Sequence, residues 1–260
     1  MALTEDQIQA FDEEGYLFLP ELFSPEEVRV LKADALASEN RENTFAISDK
    51  VGSAALSLWI ETRDDSLGAL VRHPRLVVPA RQLLRDEVYH WHSKVIFKKA
   101  HSAGSWVWHQ DYGYWYHDGP PEARMLSCMV FLDAAREDNG CLQVLAGSHK
   151  LGRLEHEHMA EYVGGQMGVK EETIQAVAGD LPVRKMTGAP GGVVIWHSNT
   201  FHRSEANATD YPRTAFIACF NALSNAPEPG RGHGKPVPLT LSAEDSIRRY
   251  AQRAAAPPAV

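Results

Sequence analysis

The stretch "WVWHQDYGYWYHDG", residues 106–119, sets His109 and Asp111 two positions apart inside a patch of aromatic rings. An imidazole and a carboxylate are donors that suit a first-row divalent metal. If the run up to Asp111 is a strand, side-chain alternation sends both groups to one face. There they can take adjacent corners of one ion. A third ligand then has to arrive from a distant strand, and His197, His202 and His233 compete for that role. His233 sits in "EPGRGHGKP", a glycine- and proline-rich loop with no regular element to fix it. His197 and His202 both come after the apolar run "GGVVIW". The segment "HRSEANATDYPR" favours His202, because it also supplies Ser204 and, eleven residues on, Arg213 at the head of "TAFIACF". An arginine directed into a metal cavity calls for an anion, most naturally a carboxylate held bidentately.

Two histidines, one carboxylate and open coordination positions make the arrangement of non-haem Fe(II) oxygenases. Zinc hydrolysis is another use of such ligands, whereas structural zinc wants four closed ones and no cysteine is placed to help. A zinc- or iron-dependent hydrolase or isomerase on a cupin-like barrel would not need Arg213. The arginine instead suits a cosubstrate with a far carboxylate, whose 2-oxo acid end chelates the iron. Lys94 and Lys98, on the strand before the motif, are placed to reach that cosubstrate or an acidic substrate. For His117, Asp118, His197 and Asn207 a place at the cavity mouth competes with turn chemistry.

The elements that must position these residues are legible along the chain. "LTEDQIQAFDEEG" has Thr4 and Gln7 in capping-box spacing, apolar Ile8 and Phe11, and a stop at Gly15. "YLFLP" reads as a short strand. "FSPEEVRVLKADAL" opens a second helix with Ser24 as cap, Pro25 at the first helical position and Glu27 closing the box. Val28, Leu31 and Ala35 form its inward stripe. A third helical region from about Ser66 to Arg85 carries Pro74 and Pro79 and is expected to break in two.

From Val88 the texture changes. "VYHWHSKVIFKK", "MLSCMVFLDA", "CLQVLAGSH", "LPVRKM", "GGVVIWHS" and "TAFIACFNAL" read as strands, separated by turn-rich "EDNG", "TGAPGG" and "ATDYP". Asn139 and Gly140 make a tight turn, and His149 near a strand end is expected to be hydrogen-bonded and structural. Helices and then six or more strands predict a mainly β fold with flanking helices, a sandwich or jelly roll. We expect a single domain over 1–260, with a mainly helical part at 1–87, the core at 88–225 and an extension at 226–260. The tail "AQRAAAPPAV" reads as frayed.

At 260 residues the chain can bury a sizeable core, and 44% hydrophobic with 23% charged residues is ordinary globular composition. A formal net charge of −8 without a long basic run argues against nucleic acid or an anionic membrane as partner. No apolar run reaches the roughly 18 residues of a membrane span. The N-terminus does not read as a secretory signal. Three cysteines, Cys128, Cys141 and Cys219, have no metal-type spacing and do not form a disulfide framework. A cytoplasmic protein, monomer or homodimer, acting on a small-molecule substrate is the expectation.

Four blocks in order carry a resemblance: "FDEEGYLFLPELFSPEEVRVLKADAL", "WHQDYGYW", "NGCLQVLAGSHKLGRLEH" and "GGVVIWHSNTFHRSEANATDYPRTAF". Together they resemble the phytanoyl-CoA dioxygenase family of Fe(II)- and 2-oxoglutarate-dependent oxygenases over most of the chain. The resemblance implies a double-stranded β-helix (jelly-roll, cupin-like) core with iron held by His109, Asp111 and His202. It implies that Arg213 binds the distal carboxylate of 2-oxoglutarate with help from Ser204 and that O2 is consumed. Halogenating members of the family lack the carboxylate ligand, so the presence of Asp111 implies hydroxylation. The spacing around the metal motif is also similar to bacterial ectoine hydroxylases. In that pattern an aromatic residue at the place of Trp115 meets the substrate, and Tyr112 and Tyr114 join it as candidate substrate contacts. The run "HQDYGY" and the approach strand "HWHSKVIFKK" depart from that pattern. The resemblance therefore implies the reaction, hydroxylation of an unactivated C–H bond with release of succinate and CO2, and leaves the substrate open. An acyl-CoA 2-hydroxylase of the phytanoyl-CoA type and a non-oxygenase metal-dependent jelly-roll enzyme are the alternatives.

Overall fold

The computed structural model describes residues 1–39, 44–49, 52–159 and 166–255. Helix α1 (Glu5–Glu14) has the expected reciprocal Thr4–Gln7 cap and stops at Gly15, whose φ of 75° is left-handed. Strand β1 (Tyr16–Leu19) leads to α2 (Pro25–Ala37), capped by Ser24 and Glu27. A hairpin comes next, β2 (Thr44–Asp49) and β3 (Gly52–Trp59), then α3 (Ser66–Val71) and α4 (Pro74–Leu84). The helical region does break in two, at Arg72–His73. Pro74 starts α4, while Pro79 lies inside that helix and does not interrupt it. The helix absorbs the missing donor because its apolar face, with Leu76, Val77, Ala80 and Leu83, is buried.

Beyond these come β4 (Val88–Lys98), β5 (Trp106–His109), a five-residue helix α5 (Asp111–Trp115), β6 (Met125–Phe131) and β7 (Leu142–Leu145). The short pair β8 (Glu157–Met159) and β9 (Gln166–Gly168) precedes α6 (Glu171–Ala178) and β10 (Val183–Met186). Strands β11 (Val193–His197), β12 (His202–Ser204) and β13 (Arg213–Ala222) complete the sheets, and α7 (Ser246–Ala255) closes the described chain. The first half of the tail expected to fray is thus helical, and residues 256–260 lie outside the described ones.

The strands form a seven-stranded sheet, β1-β11-β6-β13-β4-β3-β2, and a four-stranded sheet, β10-β7-β12-β5, with every pairing antiparallel. This is the jelly-roll core of a mainly β fold. Period-2 alternation sorts the large sheet into two faces. Val193, Ile195, Cys128, Val130, Phe216, Ala218 and Phe220 turn outward and pack with Leu31, Leu70 and Val77 of α2, α3 and α4. Val194, Trp196, Met129, Phe131 and Ile217 turn inward and meet Leu142 and Val144 of the small sheet. A third cluster, Trp108, Leu145, Val169, Ile174 and Phe201, closes the outer side of the small sheet against α6.

Helices therefore cover one face, as the order of elements predicts. The β2–β3 hairpin is not expected from the sequence. Small and polar residues dominate "TFAISDKVGSAALSLW", so neither period stands out. Its pairing with β4 widens the large sheet and brings Leu56 to the edge of the interior cavity.

Candidate active site

A cavity lies between the two sheets. The large sheet contributes Lys94, Ile96, Met129, Trp196, Arg213 and Ile217 to its wall, and the small sheet contributes His109, His202 and Ser204 among others. His109, Asp111 and His202 meet at one end, all buried, each offering one ligand atom within 4.8 Å of the others. Among the described residues they are the one such cluster.

The backbone explains the convergence. His202 and His109 are directly opposed across the β12–β5 pair, and their rings are 4.1 Å apart. Towards Trp106 and Ser204 the register slips, so β5 carries one residue more than β12, a bulge. Asp111 is not on the strand: β5 ends at His109, and Asp111 begins α5. Gln110, still extended, is the hinge between them. Its side chain donates to the carbonyls of Gly152 and Asn199, both at 2.7 Å, and accepts from the Leu154 amide at 2.8 Å. Its own amide donates to His156 Nε2 at 3.2 Å. With these groups satisfied, Gln110 locks the turn that carries both flanking ligands.

Hydrogen bonds decide which atoms are left for a metal. His109 Nδ1 lies 2.7 Å from the Val107 carbonyl and His202 Nδ1 3.0 Å from that of Thr200. A carbonyl only accepts, so each Nδ1 carries the proton and each Nε2 presents a lone pair. Burial holds both imidazoles below their ordinary pKa, which keeps them neutral. Asp111 Oδ2 accepts from Ser127 Oγ at 2.8 Å and from Trp196 Nε1 at 3.0 Å. Oδ1 faces inward, 3.9 Å from His202 Nε2 and 3.5 Å from Lys94 Nζ. Burial alone would raise the Asp111 pKa. The Lys94 charge, the two imidazoles and the Ser127 hydroxyl outweigh it and hold the carboxyl well below its usual range. Two nitrogens and one carboxylate oxygen, each oriented by a partner on its other side, fit a 2-His-1-carboxylate iron site.

Arg213 occupies the other end. It is 2% exposed and, among the described residues, makes no side-chain hydrogen bond or ion pair; its buried Nε is without a partner. Burial pulls its pKa down to about 10, which still leaves it charged at neutral pH. A buried, unpaired guanidinium is costly and wants an anion. Ser204, also buried, lines the same cavity. Lys98, opposite Arg213 in the β13–β4 register, is a second buried lysine; its Nζ donates to the Glu205 carbonyl and lies 5.2 Å over the Trp106 ring. Lys94, in contrast, stands at the Asp111 end, where Asp111 offsets the effect of burial and keeps its pKa high. The two lysines thus divide between the two ends.

The aromatic candidates do not line this cavity. Tyr112 is buried with its hydroxyl donating to the Pro120 carbonyl at 3.0 Å, and Trp115 packs edge-on against His92 at 5.4 Å. Tyr114 braces the outer side of His109, with ring centroids 5.6 Å apart, and its hydroxyl donates to the Met167 carbonyl. Trp106 does line the cavity, beside Arg203. His149 is hydrogen-bonded to the Asp12 carbonyl at 3.1 Å, and the His197 ring lies 5.5 Å from it, outside the ligand cluster. Sequence reasoning missed Gln110, Ser127, Trp196 and His156. For Ser127 and Trp196 the usable signal was a polar edge at inward positions of otherwise apolar strands.

A model of the phytanoyl-CoA dioxygenase (PhyH) family matches residues 11–215. The chain belongs to that family. It is 32% identical over 262 residues to the ectoine dioxygenase of Bordetella bronchiseptica, covering 95% of this chain and 84% of that protein. It is 30% identical over 237 residues to the L-proline trans-4-hydroxylase of Streptomyces griseoviridis, covering 84% and 86%. Crystal structures of EctD from S. alaskensis cover 92% of this chain and 87% of theirs. The iron-bound form gives a TM-score of 0.76 at 27% identity, and the form with 2-oxoglutarate and 5-hydroxyectoine gives 0.75 at 28%. The protein is a non-haem iron dioxygenase that uses 2-oxoglutarate and O2. No helix among the described residues is long and apolar enough to cross a membrane.

Proposed function

We propose that this enzyme hydroxylates an unactivated C–H bond of a small, polar, nitrogen-containing metabolite, with His109, Asp111 and His202 holding the iron. The observation that carries this function is Arg213, a buried guanidinium with no hydrogen-bond or ion-pair partner among the described residues, lining the same cavity as His109 and His202. Iron with 2-oxoglutarate and O2 supplies oxidative decarboxylation to succinate and CO2, coupled to hydroxylation of the substrate.

The chain's own residues supply the rest. Arg213 takes the distal carboxylate of 2-oxoglutarate bidentately, with the Ser204 hydroxyl beside it and Lys98 behind it. Ile96, Met129, Leu142 and Ile217 flank the methylene chain and keep water out of the cavity. Asp111 binds through Oδ1, because Ser127 and Trp196 hold Oδ2. Lys94 Nζ, 3.5 Å from Oδ1, keeps the ligand ionised. The proton on each ligand histidine's Nδ1 stays directed at its backbone carbonyl throughout. Tyr112 and Trp115 act by packing behind the site, and Tyr114 by bracing His109.

The ectoine dioxygenase and L-proline trans-4-hydroxylase relatives act on small cyclic nitrogen compounds, which supports the same class here. The test is succinate release from 2-oxoglutarate with Fe(II), ascorbate and O2, in the presence of ectoine, L-proline, other amino acids, betaines and acyl-CoAs. Stimulation by a small nitrogen compound, with a matching hydroxylated product, is expected. Stimulation by acyl-CoAs alone would contradict the substrate class, and no turnover with any compound would contradict the proposed activity itself.

A further inference from the structure

The glycine-rich loop around His233 has a definite place in the fold. Strand β4 pairs His92 with Cys219 and His90 with Phe220, so Trp91 is an extra, bulged residue. The bulge turns Trp91 inward beside His92, and His233 stacks on the Trp91 ring at 5.0 Å and 21°. Only glycine lets the strap pass. A Cβ on Gly232 would lie 2.7 Å from the Trp91 ring, and one on Gly234 would run into the His90 carbonyl oxygen; both have left-handed φ. The strap thereby delivers His233 Nδ1 to 3.1 Å from His92 Nδ1.

Two nitrogens at that distance share one proton. Asp118 Oδ2, 3.8 Å from His233 Nε2, favours a proton on that nitrogen and leaves His233 Nδ1 as the acceptor. His92 then donates from Nδ1, and its Nε2 becomes a lone pair. That Nε2 is buried and has no partner among the described residues. His92 lies two residues from Lys94, a residue of the cavity wall, on the same face of β4 and about 7 Å along the strand. Burial keeps His92 neutral.

We propose that Asp118, His233 and His92 form a relay that makes His92 Nε2 the hydrogen-bond acceptor for an N–H group of the substrate. The inference rests on the oxygenase function proposed for the metal site and deepens it, for it assigns the substrate an N–H donor close to the attacked carbon. His92 is the group that meets substrate. His233 is a positioning residue that fixes its tautomer.

The experiment uses the full-length protein with 15N-labelled histidine, loaded with Zn(II) as a diamagnetic stand-in and with 2-oxoglutarate. Imidazole nitrogen shifts report which nitrogen of His92 carries the proton. The probes are L-proline and its N,N-dimethyl betaine, which share a carboxylate and a ring but differ in N–H. The relay predicts Nδ1–H and bare Nε2 on His92. It also predicts binding of L-proline about tenfold or more tighter than the betaine, the scale of one buried hydrogen bond. His233→Phe, which keeps a ring on Trp91, should release the tautomer and erase the preference, and His233→Gln serves as the second variant. A proton on His92 Nε2 in the unaltered protein would overturn the relay. So would equal affinity for the two probes, or no binding of either while zinc and 2-oxoglutarate bind. Failure of zinc and 2-oxoglutarate to bind would instead count against the oxygenase function, since the His92 tautomer is read with or without metal.

Discussion

The two ends of the cavity are built on opposite principles. At the ligand end each donor is backed by the protein: carbonyls on both Nδ1 atoms, and Ser127 with Trp196 on Asp111 Oδ2. At the Arg213 end a charge is buried with no hydrogen-bond or ion-pair partner among the described residues. The first end is oriented by the protein's own hydrogen bonds. The second is a deficit that only an anionic molecule removes. The contrast suits one end to a metal ion and the other to the far carboxylate of a cosubstrate, as proposed above.

Substitutions at each end should break this contrast in different ways. Asp111→Ala has the largest expected effect. Coupled hydroxylation should fall below detection and iron affinity by well over about 100-fold, since loss of an outer partner alone costs about 10–100-fold. Circular dichroism and the melting temperature should show the fold retained. Arg213→Gln should leave iron binding intact and raise the KM for 2-oxoglutarate by about 30-fold or more, as expected when one partner of a buried charge pair is truncated. Without cosubstrate the same variant should melt no lower than the parent, because a buried unpaired charge has been removed. Added 2-oxoglutarate should stabilise the parent far more than the variant.

Ser127→Ala sharpens the comparison from the ligand side. It removes one of two donors to Asp111 Oδ2, so iron affinity should drop by about tenfold with the KM for 2-oxoglutarate little changed. The smallest effect concerns a histidine tied to neither end. Burial lowers the His90 pKa to about 4, and its Nε2 pairs with Ser93 Oγ at 2.8 Å. Unfolded, the same group takes a proton near about pH 6.5. The unfolded chain therefore binds more protons between these values, and stability falls as pH drops from about 6.5 to about 4. Chemical denaturation of His90→Gln across that window should show a shallower loss.

Much of the ligand end was legible in the sequence because metal chemistry restricts residue types. His109, Asp111 and His202 could be named as a cluster without coordinates for that reason. The strand alternation expected to pair His109 with Asp111 does not hold, since β5 ends at His109 and Asp111 opens α5. The supports were less legible. Ser127 and Trp196 become partners of Asp111 only through the β6–β11 pairing, and Gln110 only through carbonyls far along the chain, those of Gly152 and Asn199. The division of labour between Lys94 and Lys98 depends on register, which places Lys98 opposite Arg213. The aromatic run misled in one respect. A helix at Asp111–Trp115 turns Trp115 away from the cavity, where a continued strand would have put it on the face of His109 and Asp111. His233 needed the Trp91 bulge, a feature of pairing that no local pattern in "GRGHGKP" reveals.

The most direct test is an anaerobic titration of the Fe(II)-loaded enzyme with 2-oxoglutarate, monitored by the weak visible charge-transfer band of the 2-oxo acid on iron. The band is expected in the parent and in Arg213→Gln alike, with the variant requiring about 30-fold or more cosubstrate to reach it. No band is expected in Asp111→Ala at matched iron concentration. Absence of the band in the parent at saturating iron and 2-oxoglutarate would contradict an iron site that chelates the cosubstrate. An unchanged midpoint in Arg213→Gln would contradict the role of the buried arginine.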